Sequence, residues 1–224
     1  MIAEFYGLSG SGKTTLVNLL CREEGRIQIR RHGRQMPKGL LARNLLSPEY
    51  LGFARRCAGL YLAKQHRDAS CDGRTLRAIL RLYLIYMWER EHPGEYRCYD
   101  QGIVQECLTL IWTEYELKDR AMELVEYLLE HMQGGVMMIY THNADHAQIY
   151  DRVVQRQEYR RIQSGMSREQ AGSLMAFQAA FFDRVHQAAA ARNMGMCTDT
   201  RYAPEIGGHL VRRELEKRLE EEKC

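Results

Sequence analysis

The sequence has little of what would set it apart from ordinary globular chains. Only 4 of its 224 residues are proline and no tract is compositionally biased, which excludes a disordered linker or a fibrous repeat. Long hydrophobic runs are missing. The apolar stretch Val136–Tyr140 is far shorter than the ~20 residues that cross a bilayer, so no membrane partner is expected. Charge of one sign is not in excess: 32 basic residues stand against 29 acidic, a net +3. That balance argues against non-specific nucleic-acid binding, and no nucleic-acid partner is expected. The first residues, MIAEFYGLSGSGK, carry an early Glu4 and no basic leader, which is not the pattern of a secretory signal and leads to the expectation of a cytoplasmic protein. The 7 cysteines are odd in number and scattered, with no CxxC and no Cys/His cluster, so reduced thiols are expected and a zinc site is not.

What is there is enough to build a core. Hydrophobic residues make up 45% of the chain and charged residues 27%, ordinary globular usage that needs no disulfide or metal staple at this length. The chain reads as one domain over 1–224, with a substrate-side helical region at 40–95 and a lid at about 144–166. Ile2–Tyr6 is rich in strand formers and runs into a glycine loop, after which Leu16, Val17, Leu19 and Leu20 read as a helix face. Arg26–Arg31 reads as a second strand. Two helices follow, Leu51–Lys64 and the more regular Thr75–Glu89, in which Tyr83, Tyr86 and Trp88 are expected in the core rather than on a ligand.

Tyr96–Tyr99 reads as a strand, followed by helices at Ile103 to about Glu114 and at Arg120–Met132, the latter stopped by Gly134-Gly135. Val136–Tyr140 is an apolar strand. A polar, arginine-rich helix is expected at 144–163, and Ser167-x-x-Gln170 fits a capping box at the start of the next helix. Met194–Thr198 is the last strand, before a charged helix from about Gly208. Strands alternate with helices from end to end, which predicts an α/β fold: a mostly parallel sheet covered by helices on both faces.

The most specific signal is Gly7-x-x-x-x-Gly12-Lys13-Thr14, a full match to the phosphate-binding P-loop, set between a predicted strand and a predicted helix. Each position has a physical reason. The glycines let successive backbone N–H groups converge on phosphate oxygens, and the helix that follows adds its positive end. Gly7, Leu8, Ser9, Gly10, Ser11, Gly12, Lys13, Thr14 and Thr15 are therefore the expected nucleotide-phosphate-binding residues, with Lys13 as the charge at the β/γ-phosphates and the Thr14 hydroxyl on Mg²⁺. A plain glycine turn is the competing reading, and the strand–loop–helix context argues against it. The motif does not name the reaction. A GTPase is disfavoured because Asn143 and Asp145 lack the spacing and the lysine of the guanine-reading motif, and Asp100-Gln101-Gly102 is not a switch-type D-x-x-G.

The layout resembles the nucleotide and nucleoside kinase group of P-loop proteins, thymidylate-kinase-like, and the resemblance covers most of the chain. It rests on the P-loop, on Tyr99-Asp100-Gln101-Gly102 at the end of the third strand, on Arg152, Arg156, Arg160 and Arg161 after the fourth, and on Cys197-Thr198-Asp199-Thr200 at the last. The resemblance implies an ATP- and Mg²⁺-dependent kinase with the three-layer P-loop fold, a helical lid and a loop near the adenine. Gln101 departs from the pattern, since those kinases usually carry arginine there. A glutamine does not neutralise a phosphate charge, so either another arginine serves or the acceptor is not a nucleotide.

Asp100 is a candidate metal organiser or proton acceptor, with an N-cap for the following helix as the plain alternative. Arg152, Arg156 and Arg160 recur every four residues and line one helical face, either as lid cations over the transferring phosphoryl or as a solvated face. Arg26–Lys38 is basic with no acid, which suits an anionic acceptor at Arg30 and Arg34, or is simply a basic surface loop. Arg74, Arg77 and Arg81 share another face; Arg77 is a candidate acceptor contact and surface solubility the competing reading. The expected function is phosphoryl transfer from ATP to a small acceptor, a nucleotide or another anionic metabolite. The alternative is a regulatory NTPase switch acting through a protein partner. Oligomeric state stays open, a homodimer included.

Overall fold

The computed structural model describes residues 1–22, 29–31, 44–65, 69–91, 96–112, 114–143, 145–155, 167–201 and 203–221. Five strands form one sheet: β1 (Ile2–Tyr6), β2 (Ile29–Arg31), β3 (Tyr96–Tyr99), β4 (Val136–His142) and β5 (Gly195–Asp199). Their order is β2-β3-β1-β4-β5 and every pairing is parallel. The helices are α1 (Lys13–Arg22), α2 (Pro48–Ala63), α3 (Ala69–Glu91), α4 (Ile103–Ile111), α5 (Lys118–His131), α6 (His146–Gln155), α7 (Arg168–Ala190) and α8 (Pro204–Glu221). This is the parallel α/β arrangement expected from the alternation, and the P-loop fold that the resemblance implied. Among the described residues, no helix is long and apolar enough to cross a membrane.

Alternation along the strands builds two cores. Ala3, Phe5, Cys98, Met137 and Ile139 face α1 and α8, where Leu16, Val17, Leu20, Val211 and Leu215 meet them. Ile2, Tyr6, Met138 and Tyr140 face the larger layer of α2 to α7. In that layer Tyr6 and Tyr140 stack at 5.3 Å, and Phe53 stacks on Tyr83 at 3.7 Å. Tyr83 and Tyr86 are fully buried and Trp88 packs against the same core, as expected. Burial of each such side chain contributes about 1.5–3 kcal/mol, so the two faces rather than the loops hold the sheet.

Chain signals set several ends. Ser47 caps α2 by accepting from the Tyr50 amide at 3.1 Å, with Pro48 in the first turn. Ser167 and Gln170 form the expected capping box on α7. Gly134, at φ +77°, supplies the left-handed residue between α5 and β4. The α4 helix ends earlier than expected, at Ile111, and a single 3₁₀ turn, Tyr115–Leu117, leads into α5. The strand β4 runs two residues further, because Thr141 and His142 stay in register with Thr198 and Asp199 of β5. Of the helix expected at 144–163, the described part is α6; the rest lies outside the described residues.

The helical layer contains a buried ion pair. Lys64, at the end of α2, reaches Asp72 of α3 at 2.9 Å and donates to the Leu110 carbonyl of α4 at 2.8 Å, with side-chain exposures of 2% and 9%. Nearby, the Gln65 amide donates to the Glu114 carboxylate at 2.8 Å. Arg90 and Tyr83 of α3 both bond the Glu49 carboxylate of α2. These contacts fix the far end of α4 against α2 and α3.

The connection after β1 leads toward β2, and the connection after β4 leads toward β5. The C-terminal ends of β1 and β4 therefore flank a topological switch point, the usual ligand crevice of an open parallel sheet.

Candidate active site

The P-loop occupies that crevice. Gly7, Gly10 and Gly12 have φ of +144°, +82° and +94°, which side-chain-bearing residues rarely adopt. Gly7 is further constrained by its neighbour, since a Cβ there would lie 2.5 Å from the Thr141 carbonyl oxygen. The Thr141 hydroxyl donates to the Tyr6 carbonyl at 2.9 Å and sits 2.9 Å from the Ser11 hydroxyl, so β4 braces the loop from below. The Lys13 ammonium donates to the Gly7 and Leu8 carbonyls at 2.7 and 2.8 Å, folded across the loop it would leave to meet a phosphate.

The Thr14 hydroxyl donates to Asp100 Oδ2 at 2.9 Å. The loop after β1 and the turn after β3 thus meet side chain to side chain. Asp100 is not the helix cap: the N-cap of α4 is Gly102, which has no side chain to give. That corrects the capping alternative. The cap comes from β1 instead. Glu4 is fully buried, its Oε1 accepts the Val104 amide at 2.7 Å and its Oε2 accepts the Tyr86 hydroxyl at 2.8 Å. Burial pushes the Glu4 carboxyl up to about 7, against the opposing pull of the Val104, Tyr86 and Ile103 hydrogen bonds.

A cavity of about 350 Å³ opens beside the loop, lined by Gly10, Ser11, Gly12, Thr15, Arg152, Thr198–Arg201 and Gly207 among others. Thr200 pins its rim, with its amide on the His142 carbonyl at 2.9 Å. Arg201 holds Asp199 through two bonds from Nε at 2.9 and 3.0 Å and keeps that carboxyl below its usual range. Asp145 caps α6 by accepting from the Gln148 amide at 2.9 Å, and this helix lies on the loop: a Cβ at Gly10 would be 3.1 Å from Val153. The same packing brings Arg152 to the cavity. A second, smaller cavity of about 90 Å³ lies against Leu8 and Ser9, between α4 and α7; its described lining, including Gln105, Trp112 and Gln178, bears no charge.

The structure brings together Gly7–Thr15, Asp100 and Arg152. Arg156, Arg160 and Arg34 lie outside the described residues. Arg30 is in β2, with only its backbone described. Arg77 lies with Arg74 and Arg81 on an open cavity of about 390 Å³, whose described lining belongs entirely to α3 and includes no P-loop residue. Gln101 is exposed. Among the described residues no cluster of His, Cys, Asp and Glu could hold a metal, and none of the described cysteines forms a disulfide. Sequence reading missed Glu4, Thr141 and Arg201. For Glu4 a signal existed: one acid within an otherwise uncharged five-residue strand.

No protein-family model matches the sequence, and no curated protein does. Several solved structures share its fold, two of them over nearly the whole chain as follows. Deoxyadenosine kinase from M. mycoides with products dCMP and a flexible dCDP bound aligns at a TM-score of 0.53 and 11% identity, covering 97% of this chain and 100% of that one. Deoxyadenosine kinase from M. mycoides with bound dATP aligns at 0.51 and 11% identity, covering 96% and 100%. At that identity the likeness is one of fold.

Proposed function

We propose that this chain is a Mg²⁺-dependent phosphotransferase that moves the γ-phosphoryl group of ATP to a small acceptor, a nucleoside or nucleotide. The observation that carries the reading is the Thr14–Asp100 contact, beside Lys13 and the mouth of the loop-lined cavity. A P-loop hydroxyl and a strand-end carboxylate are hard oxygen donors, the kind Mg²⁺ accepts alongside phosphate oxygens and waters. When bound, the ion supplies charge neutralisation between the phosphates. The acceptor class follows the fold neighbours named above, which are deoxyadenosine kinases.

The chain's own residues divide the work. The loop amides and the N-terminus of α1 bind the triphosphate. Lys13 exchanges the Gly7 and Leu8 carbonyls for phosphate oxygens, a charged donor released only when an anion arrives. Asp100 acts on the cation side, because one of its oxygens is already committed to Thr14. Arg152, brought in by α6, faces the nucleotide cavity and offers charge as the phosphoryl moves. An acceptor entering along Leu8 and Ser9, over the uncharged groove, meets the γ-phosphoryl from the opposite side, as in-line transfer requires. A bond then forms from the acceptor oxygen to phosphorus, the bond to the bridging oxygen breaks, ADP leaves, and a hydroxyl acceptor's proton passes through the transferred phosphoryl oxygens to water.

The test is a screen with ATP and Mg²⁺ over nucleosides, nucleoside monophosphates and phosphosugars, read as acceptor-dependent ADP release. Transfer to a nucleoside or a nucleoside monophosphate establishes the reading, and transfer to a phosphosugar alone overturns its acceptor class. Tight ATP binding without transfer to any of them, joined to hydrolysis that rises with a protein partner, overturns it.

A further inference from the structure

Glu4 stands outside the proposed chemistry, yet it holds the segment that delivers Asp100. Through its backbone, Glu4 pairs in register with Tyr99, the last residue of β3. Through its side chain, it accepts the Val104 amide in the first turn of α4 at 2.7 Å. The turn carrying Asp100 is therefore strung between two attachments made by one residue of β1. The N-cap of α4 is a glycine with no side chain to cap the helix, so the first-turn amides depend on this distant carboxylate. The fit leaves no slack on the other side either: a Cβ at Gly102 would fall 2.2 Å from Glu4 Cδ. Tyr86 of α3 completes the grip from above. At a fully buried strand position an aliphatic residue would pack without desolvating a charge.

We propose that Glu4 is a positioning residue for the phosphoryl transfer, fixing the Asp100–Val104 turn so that Asp100 stays on Thr14. This rests on the kinase reading and on Asp100 acting there. A glutamine preserves the arrangement: its carbonyl accepts the Val104 amide and its amide donates to the Tyr86 hydroxyl, which accepts as readily as it donates. A methionine fills the space and leaves those groups without Glu4.

The experiment compares wild type with Glu4→Gln, Glu4→Met, Gly102→Ala and Gly59→Ala, the last a control in α2 with nothing within 4 Å of the added carbon. Three quantities are read: hydrogen exchange at the Ile103 and Val104 amides without nucleotide, ATP affinity without Mg²⁺, and MgATP turnover. Glu4→Met and Gly102→Ala are expected to lose first-turn protection and about a hundredfold in kcat, the scale of a small misplacement. Their Mg²⁺-free ATP affinity stays near wild type. Glu4→Gln recovers kcat to within about fivefold, since it keeps the hydrogen bonds. Normal kcat in Glu4→Met, or equal losses of kcat and ATP affinity, overturns the inference; unchanged first-turn protection in that variant overturns it at its first step. Should Glu4→Met fail to fold, Gly102→Ala tests the same contact with Glu4 in place, and normal kcat there overturns it. A wild type that turns over no MgATP overturns the kinase reading together with this role, and the exchange pattern then marks Glu4 as a structural cap alone.

Discussion

The loop after β1 and the turn after β3 meet at the Thr14–Asp100 hydrogen bond, but they are held by different means. The loop is self-supporting. Its glycines take up the left-handed backbone, its lysine folds over its own carbonyls, and β4 adds one threonine brace. The turn leads into a helix whose own N-cap, Gly102, has no side chain to give. Its helix is capped by a carboxylate 100 residues away in sequence, and the helix's far end is fixed by the Lys64–Asp72 pair. A phosphate-binding loop thus carries its geometry in adjacent residues, whereas the carboxylate that serves it is only as well placed as the tertiary packing beneath it.

The comparison breaks most sharply at Lys13. Lys13→Ala should lower turnover about a thousandfold or more, as loss of a preorganised charge at the phosphates does. Circular dichroism should stay native, because the loop keeps its glycines and the Thr141 brace. Near-normal turnover would mean that the loop is not the catalytic nucleotide site.

At the far end of α4, Lys64→Met should cost about 3–5 kcal/mol in urea denaturation, because it strands the buried Asp72 carboxylate. The double change Lys64→Met with Asp72→Leu should regain much of that loss. A single change as mild as an ordinary surface substitution would show the pair to be solvated.

Asp100→Asn should lower kcat about a hundredfold or more with little effect on stability, since Gly102 rather than Asp100 is the N-cap. A matching drop in melting temperature would return Asp100 to a structural role.

The pH dependence of stability sharpens the contrast. The Glu4 carboxyl is raised from 4.5 to about 7 in the folded protein, so the folded state binds the proton more tightly than the unfolded chain. Its contribution to stability is whole below about pH 4.5 and is lost as pH rises through about 7. The shift corresponds to roughly 3 kcal/mol. Measured as the difference between wild type and Glu4→Gln, stability should fall across that window and level off above it. A flat difference would show that Glu4 does not titrate there.

The smallest effect is expected at Arg152. Arg152→Ala should reduce turnover about tenfold while ATP affinity changes less, as for a cation that meets charge mainly in the transition state. Kinetics within ~0.5 kcal/mol of wild type would make it a solvated residue.

Residues adjacent in sequence were legible before the fold. Gly7–Thr14 declared its own conformation, because a glycine-rich backbone curl and the helix after it are local properties. The alternation of apolar runs likewise gave a parallel sheet with helices on both faces, since strand and helix periods are written into each segment. Ser167–Gln170 gave its capping box for the same reason. Tertiary structure alone decided which distant groups meet: Thr14 with Asp100, Gly10 with α6, Lys64 with Asp72 and Leu110. It also made Glu4 a cap. From sequence that acid was only a charge near the N-terminus, because the register of β1 against β3 and the entry of α4 together determine whose amides its carboxylate finds.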